Sequence, residues 1–128
     1  MDTMLKTSIW QQFGAAIDFL SETMNACPDE LWTAAMWKTP DTKPEFSHFW
    51  YVAYHTQFWL DLYLTGAVEG FQPKEPFTLS ELEAGLLPDR VYTKAELQTY
   101  LKDCRKKCQT TIDALTNESA QQRCRFGW

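Results

Sequence analysis

The stretch EFSHFWYVAYHTQFWLDLYLTG, residues 45–66, decides the fold. It follows Pro44, ends at a glycine and holds both histidines of the chain. Its spacing predicts one helix that is apolar around most of its circumference, and such a helix belongs in the middle of a packed structure. A helical projection assigns Phe49, Val52, Ala53, Thr56, Leu60 and Tyr63 to the drier side, and Ser47, Tyr51, Tyr54, Asp61 and Thr65 to the wetter side.

Two more long helices flank this central one. Apolar residues at helical spacing predict the first from about Thr3 to Asn25, ending before Pro28. Thr93 and Glu96 have capping-box spacing and open the last one. It runs to about Leu115, with Asn117 as a left-handed stop. The apolar stripes of the two helices are Ile9, Phe13, Ile17, Leu20 and Met24, and Leu97, Leu101, Cys104, Cys108, Ile112 and Leu115.

A short fourth helix is predicted between the second and third long ones. Thr78 and Glu81 have capping-box spacing, which predicts a helix from Leu79 to Ala84. No alternating apolar runs flank a tight turn, so no strand pair is expected. We therefore predict an all-α fold, an antiparallel up-down bundle of three long helices plus one short helix, in a single domain over residues 1–128.

The composition narrows the class of partner. A content of 45% hydrophobic residues indicates a globular protein, and a net charge of −5 argues against nucleic acid and anionic membrane surfaces. The first residues lack the pattern of a signal peptide, and residues 46–64 contain too many polar groups for a membrane span. Four cysteines without a secretory signal indicate reduced thiols, so we expect a cytoplasmic location.

Both histidines, His48 and His55, fall on one flank of the predicted helix, together with Trp59. Seven residues of helix rise ~10.5 Å, so the two imidazoles do not share a metal ion within one chain. The residues alone favour two histidines hydrogen-bonded at the margin of the core. If the chain has a pocket, we expect it on this flank, lined by His48, Tyr51 and Trp59 around His55.

Other constellations favour structural explanations. Glu45 and His48 have the E-x-x-H spacing of di-iron bundles, but those bundles need a second pair and two further glutamates, so Glu45 is better explained by the helix dipole. Cys104 and Cys108 adjoin cations that favour reactive thiolates, yet their place on an apolar stripe favours small buried hydrophobes. A metal held by His55 and these two cysteines is chemically allowed, but no spacing supports it.

The order of these parts resembles the DinB/YfiT superfamily of metal-binding four-helix bundles. The resemblance spans the chain and is strongest around His55, in FSHFWYVAYHTQFWLDLYLTG, and in the segment YTKAEL that begins at Tyr92. It implies an up-down-down-up bundle, often a homodimer, with a divalent metal (Zn, Ni, Fe or Mn) held by three histidines. Characterised relatives include metal-dependent enzymes that act with low-molecular-weight thiols.

The resemblance assigns His55 to the metal ligand of the second helix. The other two ligands, an H-x-x-x-H on a last helix, have no counterpart in this sequence. We therefore expect the fourth long helix to be absent here and the remaining ligands to come from residues outside this chain or from a partner chain.

Two functions follow from these observations. In the first, the chain is a metal-dependent transferase or hydrolase in which His55 helps to activate a thiol or water, with a small-molecule pocket beside Tyr51 and Trp59. In the second, it is a non-catalytic helical dimerisation or binding module without metal. The missing H-x-x-x-H favours the second. Both predict a homodimer, because three helices leave apolar surface uncovered.

Overall fold

The computed structural model describes all 128 residues and contains helices but no β-strand. The helices are α1 (Thr3–Ala26), α2 (Phe49–Thr65), α3 (Lys94–Asp113) and the single turn α4 (Asn117–Ala120). Three 3₁₀ turns lie between them, at Asp29–Leu31, Pro44–Ser47 and Ser80–Leu82. The prediction of an all-α fold is confirmed. None of the helices is both long and apolar enough to cross a membrane.

The third helix makes the most extensive helix–helix contacts of the fold. It packs along α1 and along α2, whereas α1 and α2 have few close backbone contacts with each other and meet through side chains such as Met24 and Gln57. Helix α1 is antiparallel to α3, because Lys6 Nζ near its start donates to Asp113 O at 2.8 Å, and Lys94 Nζ donates to Cys27 O, just after its end, at 2.5 Å.

Helix α2 runs in the same direction as α3. Near its start, the Trp50 ring lies 6.0 Å from the ring of Tyr92, which precedes α3. Near its end, Thr65 Oγ1 accepts a hydrogen bond from Lys107 Nζ at 2.7 Å. The first three helices therefore run up, down and down.

The loop between α2 and α3 supplies part of the core. Phe71, Phe77 and Tyr92 are buried in it. The Phe77 ring stacks on Tyr100 of α3 at 4.3 Å and on Tyr54 of α2 at 6.0 Å. The loop is thus a packed layer over α2 and α3.

The buried face of the central helix matches the predicted one only in part. Tyr51, Tyr54 and Asp61, assigned to the wetter side, are buried, while Thr56 and Tyr63, assigned to the drier side, are exposed. The projection was wrong because α2 is apolar on almost every side, so its periodicity does not select a buried face. The loop that folds back from Gly66 selects it instead.

The start of the central helix was also predicted wrongly. Residues Pro44–Ser47 form a 3₁₀ turn, and α2 begins only at Phe49. His48 between them has extended backbone (φ −69°, ψ 143°) and forms an isolated bridge with Ala35. Glu45 lies exposed in the 3₁₀ turn. His48 is therefore not part of the helical flank that carries His55.

Other local signals have mixed outcomes. The capping box of Thr93 and Glu96 is present, and Gly66 ends α2 in the left-handed region at φ 85°. The short helix predicted from Leu79 to Ala84 is only the turn Ser80–Leu82. Asn117 is not a left-handed stop, because α3 ends at Asp113 and Thr116 caps α4. That cap stabilises a new helical turn where the sequence predicted a helix end.

A buried carboxylate joins α2 to α3. Asp61 Oδ2 accepts a hydrogen bond from Tyr100 at 2.8 Å, and Asp61 Oδ1 accepts one from Lys107 at 2.6 Å. Lys107 Nζ also donates to Asp61 O at 3.0 Å and to Thr65. Because a buried carboxylate is costly unless it is paired, this network fixes the register of the two parallel helices.

We predict that Asp61→Ala lowers the free energy of unfolding by about 2–3 kcal/mol, since it leaves a buried tyrosine hydroxyl without an acceptor and a lysine without a counter-charge. Urea unfolding followed by circular dichroism measures this loss in the free energy of unfolding. Lys74→Ala is the control, because its ion pair with Asp103 is exposed; we expect a loss below about 1 kcal/mol. Equal losses in the two variants would contradict the assigned role of Asp61.

Candidate functional site

The carboxylate of Glu81 makes hydrogen bonds with three side chains of α2. Glu81 lies in the turn Ser80–Leu82, and its side chain is only 4% exposed. Its Oε2 accepts a hydrogen bond from the Tyr51 hydroxyl at 2.6 Å, and its Oε1 accepts one from Trp59 Nε1 at 3.1 Å. Its Oε1 also pairs with His55 Nδ1. Each oxygen of this buried carboxylate therefore has a donor.

The helix dictates which residues meet there. Tyr51, His55 and Trp59 follow one another at intervals of four and so share one stripe of α2. The His55 ring lies 6.0 Å from Tyr51 and 6.2 Å from Trp59, measured between centroids. One turn of the loop, docked beside this stripe, reaches all three with a single side chain.

Charge and proton positions follow from this geometry. Burial alone would raise the pKa of Glu81, but the hydrogen bonds from His55, Tyr51 and Trp59 together outweigh it and lower that pKa. Burial and the bond to Glu81 raise the pKa of Tyr51, which stays a donor. Because an ionised carboxylate only accepts, the proton of neutral His55 sits on Nδ1 and leaves a lone pair on Nε2. The His55 side chain is 50% exposed.

A group of aromatic rings adjoins His55 on the surface. It consists of Trp59, Tyr63, Phe126 and Trp128, which we call the aromatic wall. Trp59 lies 5.5 Å from Tyr63 and 6.0 Å from Trp128, and Phe126 stacks on Trp128 at 5.3 Å. The last residues of the chain therefore lie against the outer face of α2.

The structure brings together three of the four residues assigned to the site. Tyr51, His55 and Trp59 share Glu81, whereas His48 lies outside this group, in the extended residue before α2. Sequence reasoning missed Glu81, because its spacing from Thr78 indicated a helix cap. Thr78 Oγ1 instead accepts from the Ser80 backbone at 3.3 Å, which frees Glu81 to reach α2.

The residues around His55 do not complete a metal site within this chain. No group of three or more His, Cys, Asp and Glu side chains lies together in an arrangement that would hold a metal. Glu81 is already engaged by three donors, so His55 Nε2 is the one free ligand atom of the pair. Burial raises the pKa of Cys104 to about 12 and also raises that of Cys108, so both stay protonated thiols in the core.

Comparison with known proteins gives no match, whether to a family model, a curated protein or a solved structure. The resemblance to the DinB/YfiT superfamily therefore stays a prediction from the motifs. For this reason we infer the function from Glu81 and its three donors.

We predict that Glu81→Gln destabilises the protein by about 1.5–3 kcal/mol near pH 7, since the amide cannot satisfy all three donors and carries no charge. The pKa of Glu81 is lower in the folded state than the unfolded value of about 4.3, so its contribution is full above that value and is lost as pH falls through the folded pKa. The difference between variant and wild type should therefore shrink at about pH 3.

Urea unfolding at the two pH values measures this difference. Glu83→Gln is the matched control, because Glu83 is exposed two residues away and makes no side-chain hydrogen bond. An effect of Glu81→Gln that is equally large at both pH values would mean that ionisation of Glu81 is not what stabilises the site.

Proposed function

We propose that this chain is a DinB/YfiT-like helical protein that activates a thiol, with His55 as the proton acceptor and Glu81 as the residue that positions it. One observation carries the proposal: a buried, ionised carboxylate holds Nδ1 of His55, whose side chain is 50% exposed and whose Nε2 makes no hydrogen bond. The up, down and down directions of α1, α2 and α3 agree with the first three helices that the resemblance implies, and so support the family part of the proposal.

The proton transfer needs only residues of this chain. The thiol S–H bond breaks as Nε2–H forms, giving a thiolate and an imidazolium whose charge faces the Glu81 carboxylate. A thiol, with an ordinary pKa of about 8.5, gives up its proton far more readily than water, whose pKa lies much higher. The pair therefore favours a thiol over water as the activated group.

The divalent metal that the resemblance implies is not part of this proposal. A carboxylate behind Nδ1 is also the arrangement that orients metal-ligating histidines, so His55 is suited to serve as one such ligand. The further ligands would have to come from outside the group around Glu81. Elemental analysis of protein purified without an affinity tag tests this directly. One tightly held equivalent of Zn, Ni, Fe or Mn would replace the proton-acceptor proposal with a metal-dependent one.

We predict that His55→Asn lowers kcat/KM by about 10²-fold or more for thiol transfer, because it removes the proton acceptor. The assay follows the displacement of chloride from 1-chloro-2,4-dinitrobenzene by a thiol, in the presence of a chelator. His48→Asn is the matched control, because His48 lies outside the Glu81 group, and it should keep wild-type activity. No rate above the uncatalysed reaction, or equal losses in both variants, would rule out the proposal.

A second candidate function is dimerisation through α1. Four large apolar side chains of this helix are exposed, namely Met4 at 75%, Leu5 at 50%, Phe13 at 45% and Phe19 at 69%. Of its charged residues, Lys6 and Asp18 are engaged with α3, the latter through Arg105, which leaves only Glu22. In a two-fold dimer the same surface of two chains comes together. Because this surface carries so little free charge, the two copies would not repel each other. We propose a second copy of this chain as its partner.

We predict that wild-type protein has the mass of a dimer by light scattering, and that Leu5→Glu combined with Phe19→Glu gives a monomer, because four carboxylates would meet in an apolar interface. Gln109→Glu on the exposed side of α3 is the control and should stay dimeric. A wild-type monomer at micromolar concentration would exclude this candidate.

A further inference from the structure

We infer that the cavity between the end of α2 and the C-terminal segment binds a small organic dianion, a dicarboxylate or a phosphate monoester, through Arg123 and Arg125. The cavity has a volume of about 530 Å³, which lies within the range of small-molecule sites. It is lined by Thr65, Gly66, Ser119 and residues 122–125. The site is therefore separate from the group around Glu81 and goes beyond the proposed function.

The chain has four arginines, which fall into two contrasting pairs. Arg90 and Arg105 are each bound by both oxygens of one carboxylate, at 2.6 to 3.2 Å. Arg123 and Arg125, in contrast, form no ion pair and lie over no aromatic ring. The two guanidinium groups at this cavity therefore keep their donors free for an acceptor from outside the chain.

The charge at the cavity selects an anion. Arg123 and Arg125 bring two positive charges to it, whereas no Asp or Glu side chain lines it. Acidic side chains are not scarce, since the chain has 17 of them against 12 basic ones. Two neighbouring cations without a carboxylate between them repel each other. A ligand with two negative charges removes this repulsion and pairs with both groups.

The donors at the cavity narrow the class of anion. A guanidinium group binds a planar carboxylate or a phosphate through two parallel hydrogen bonds, and Arg90 and Arg105 bind carboxylates in this way within the chain. The amide of Gln122 adds an uncharged donor at the same cavity. The volume exceeds what a bare inorganic ion would fill, so the ligand is expected to have an organic body.

The backbone around the two arginines is held in place before a ligand binds. Arg125 N donates to Gly66 O at 2.9 Å, which ties the C-terminal segment to the end of α2. Gln122 N donates to Ser119 O at 3.2 Å, and the capping box of Thr116 orders the turn α4 just before it. Because this framework is already ordered, binding has to immobilise only the side chains, which lowers its entropic cost.

The test compares charged and uncharged probes of similar shape. Succinate and methyl phosphate are the two dianions at about pH 8, and succinamide is the uncharged analogue of succinate. By isothermal titration calorimetry, at least one dianion should bind wild-type protein about tenfold or more tightly than succinamide, because hydrogen bonds between charged groups are roughly twice as strong as neutral ones. The tighter dianion identifies the ligand class as a dicarboxylate or a phosphate monoester.

Substitutions at the cavity test the two arginines individually. Arg123→Gln and Arg125→Gln should each weaken dianion binding by about tenfold or more, since each removes one charged fork. Arg123→Lys keeps the charge but not the fork, so its loss should be smaller than that of Arg123→Gln. Lys102→Gln is the matched control, because it removes the same charge from an exposed position of α3 outside the cavity, and it should keep the wild-type Kd.

Cys124 gives a second measurement, because it lines the cavity and is the one exposed cysteine of the four. The bound dianion should slow its labelling by N-ethylmaleimide, followed by intact mass, whereas succinamide should not. Equal binding of the dianions and succinamide, or an unchanged Kd in both glutamine variants, would overturn the inference. His55→Asn should leave the Kd unchanged, so the result does not depend on whether the chain transfers thiols.

Discussion

The buried carboxylate of Glu81 is the constraint on which the rest of this structure depends. An ionised carboxylate with 4% exposure is stable only if hydrogen-bond donors replace the water that it loses. Three such donors lie along one stripe of α2, and the turn Ser80–Leu82 meets them only when it docks beside that stripe. In this position the loop also buries Phe71 and Phe77 against the helices. Satisfying one charge thus fixes the loop, the buried face of α2 and the orientation of His55 together.

Features that depend on neighbouring residues could be predicted from the sequence. The first and third long helices, the capping box of Thr93 and Glu96, and the glycine that ends α2 all rest on interactions within a few residues. The buried face of α2 could not be predicted, because an almost uniformly apolar helix carries no periodic signal. Glu81 could not be assigned either, since its partners lie 22 to 30 residues away and its spacing from Thr78 suggested a local role.

The grouping of three of the proposed site residues could be predicted for the same reason. Tyr51, His55 and Trp59 share a flank in any helix through this stretch, so their assignment needed only the period of the helix. His48 was added by extending that helix backwards past its true start at Phe49. Pro44 allows a helical first turn, but this turn is 3₁₀ and the chain is extended again at His48. A helix boundary misplaced by four residues was therefore enough to assign His48 to a helical flank of which it is not part.

Two buried carboxylates contact donors across the fold, Asp61 on α2 and Glu81 in the turn Ser80–Leu82, and only the second leaves a group suited to the proposed proton transfer. Asp61 and Glu81 each accept a hydrogen bond from a tyrosine, and each has a cationic or potentially cationic partner. Lys107 donates its three ammonium protons to Asp61 Oδ1, Asp61 O and Thr65, so no donor remains for a ligand. His55 uses Nδ1 for Glu81, while its Nε2 makes no hydrogen bond and its side chain is 50% exposed. The same arrangement, a carboxylate paired across the fold, is a structural link at Asp61, whereas at Glu81 it leaves His55 the free lone pair that the proposed proton transfer requires.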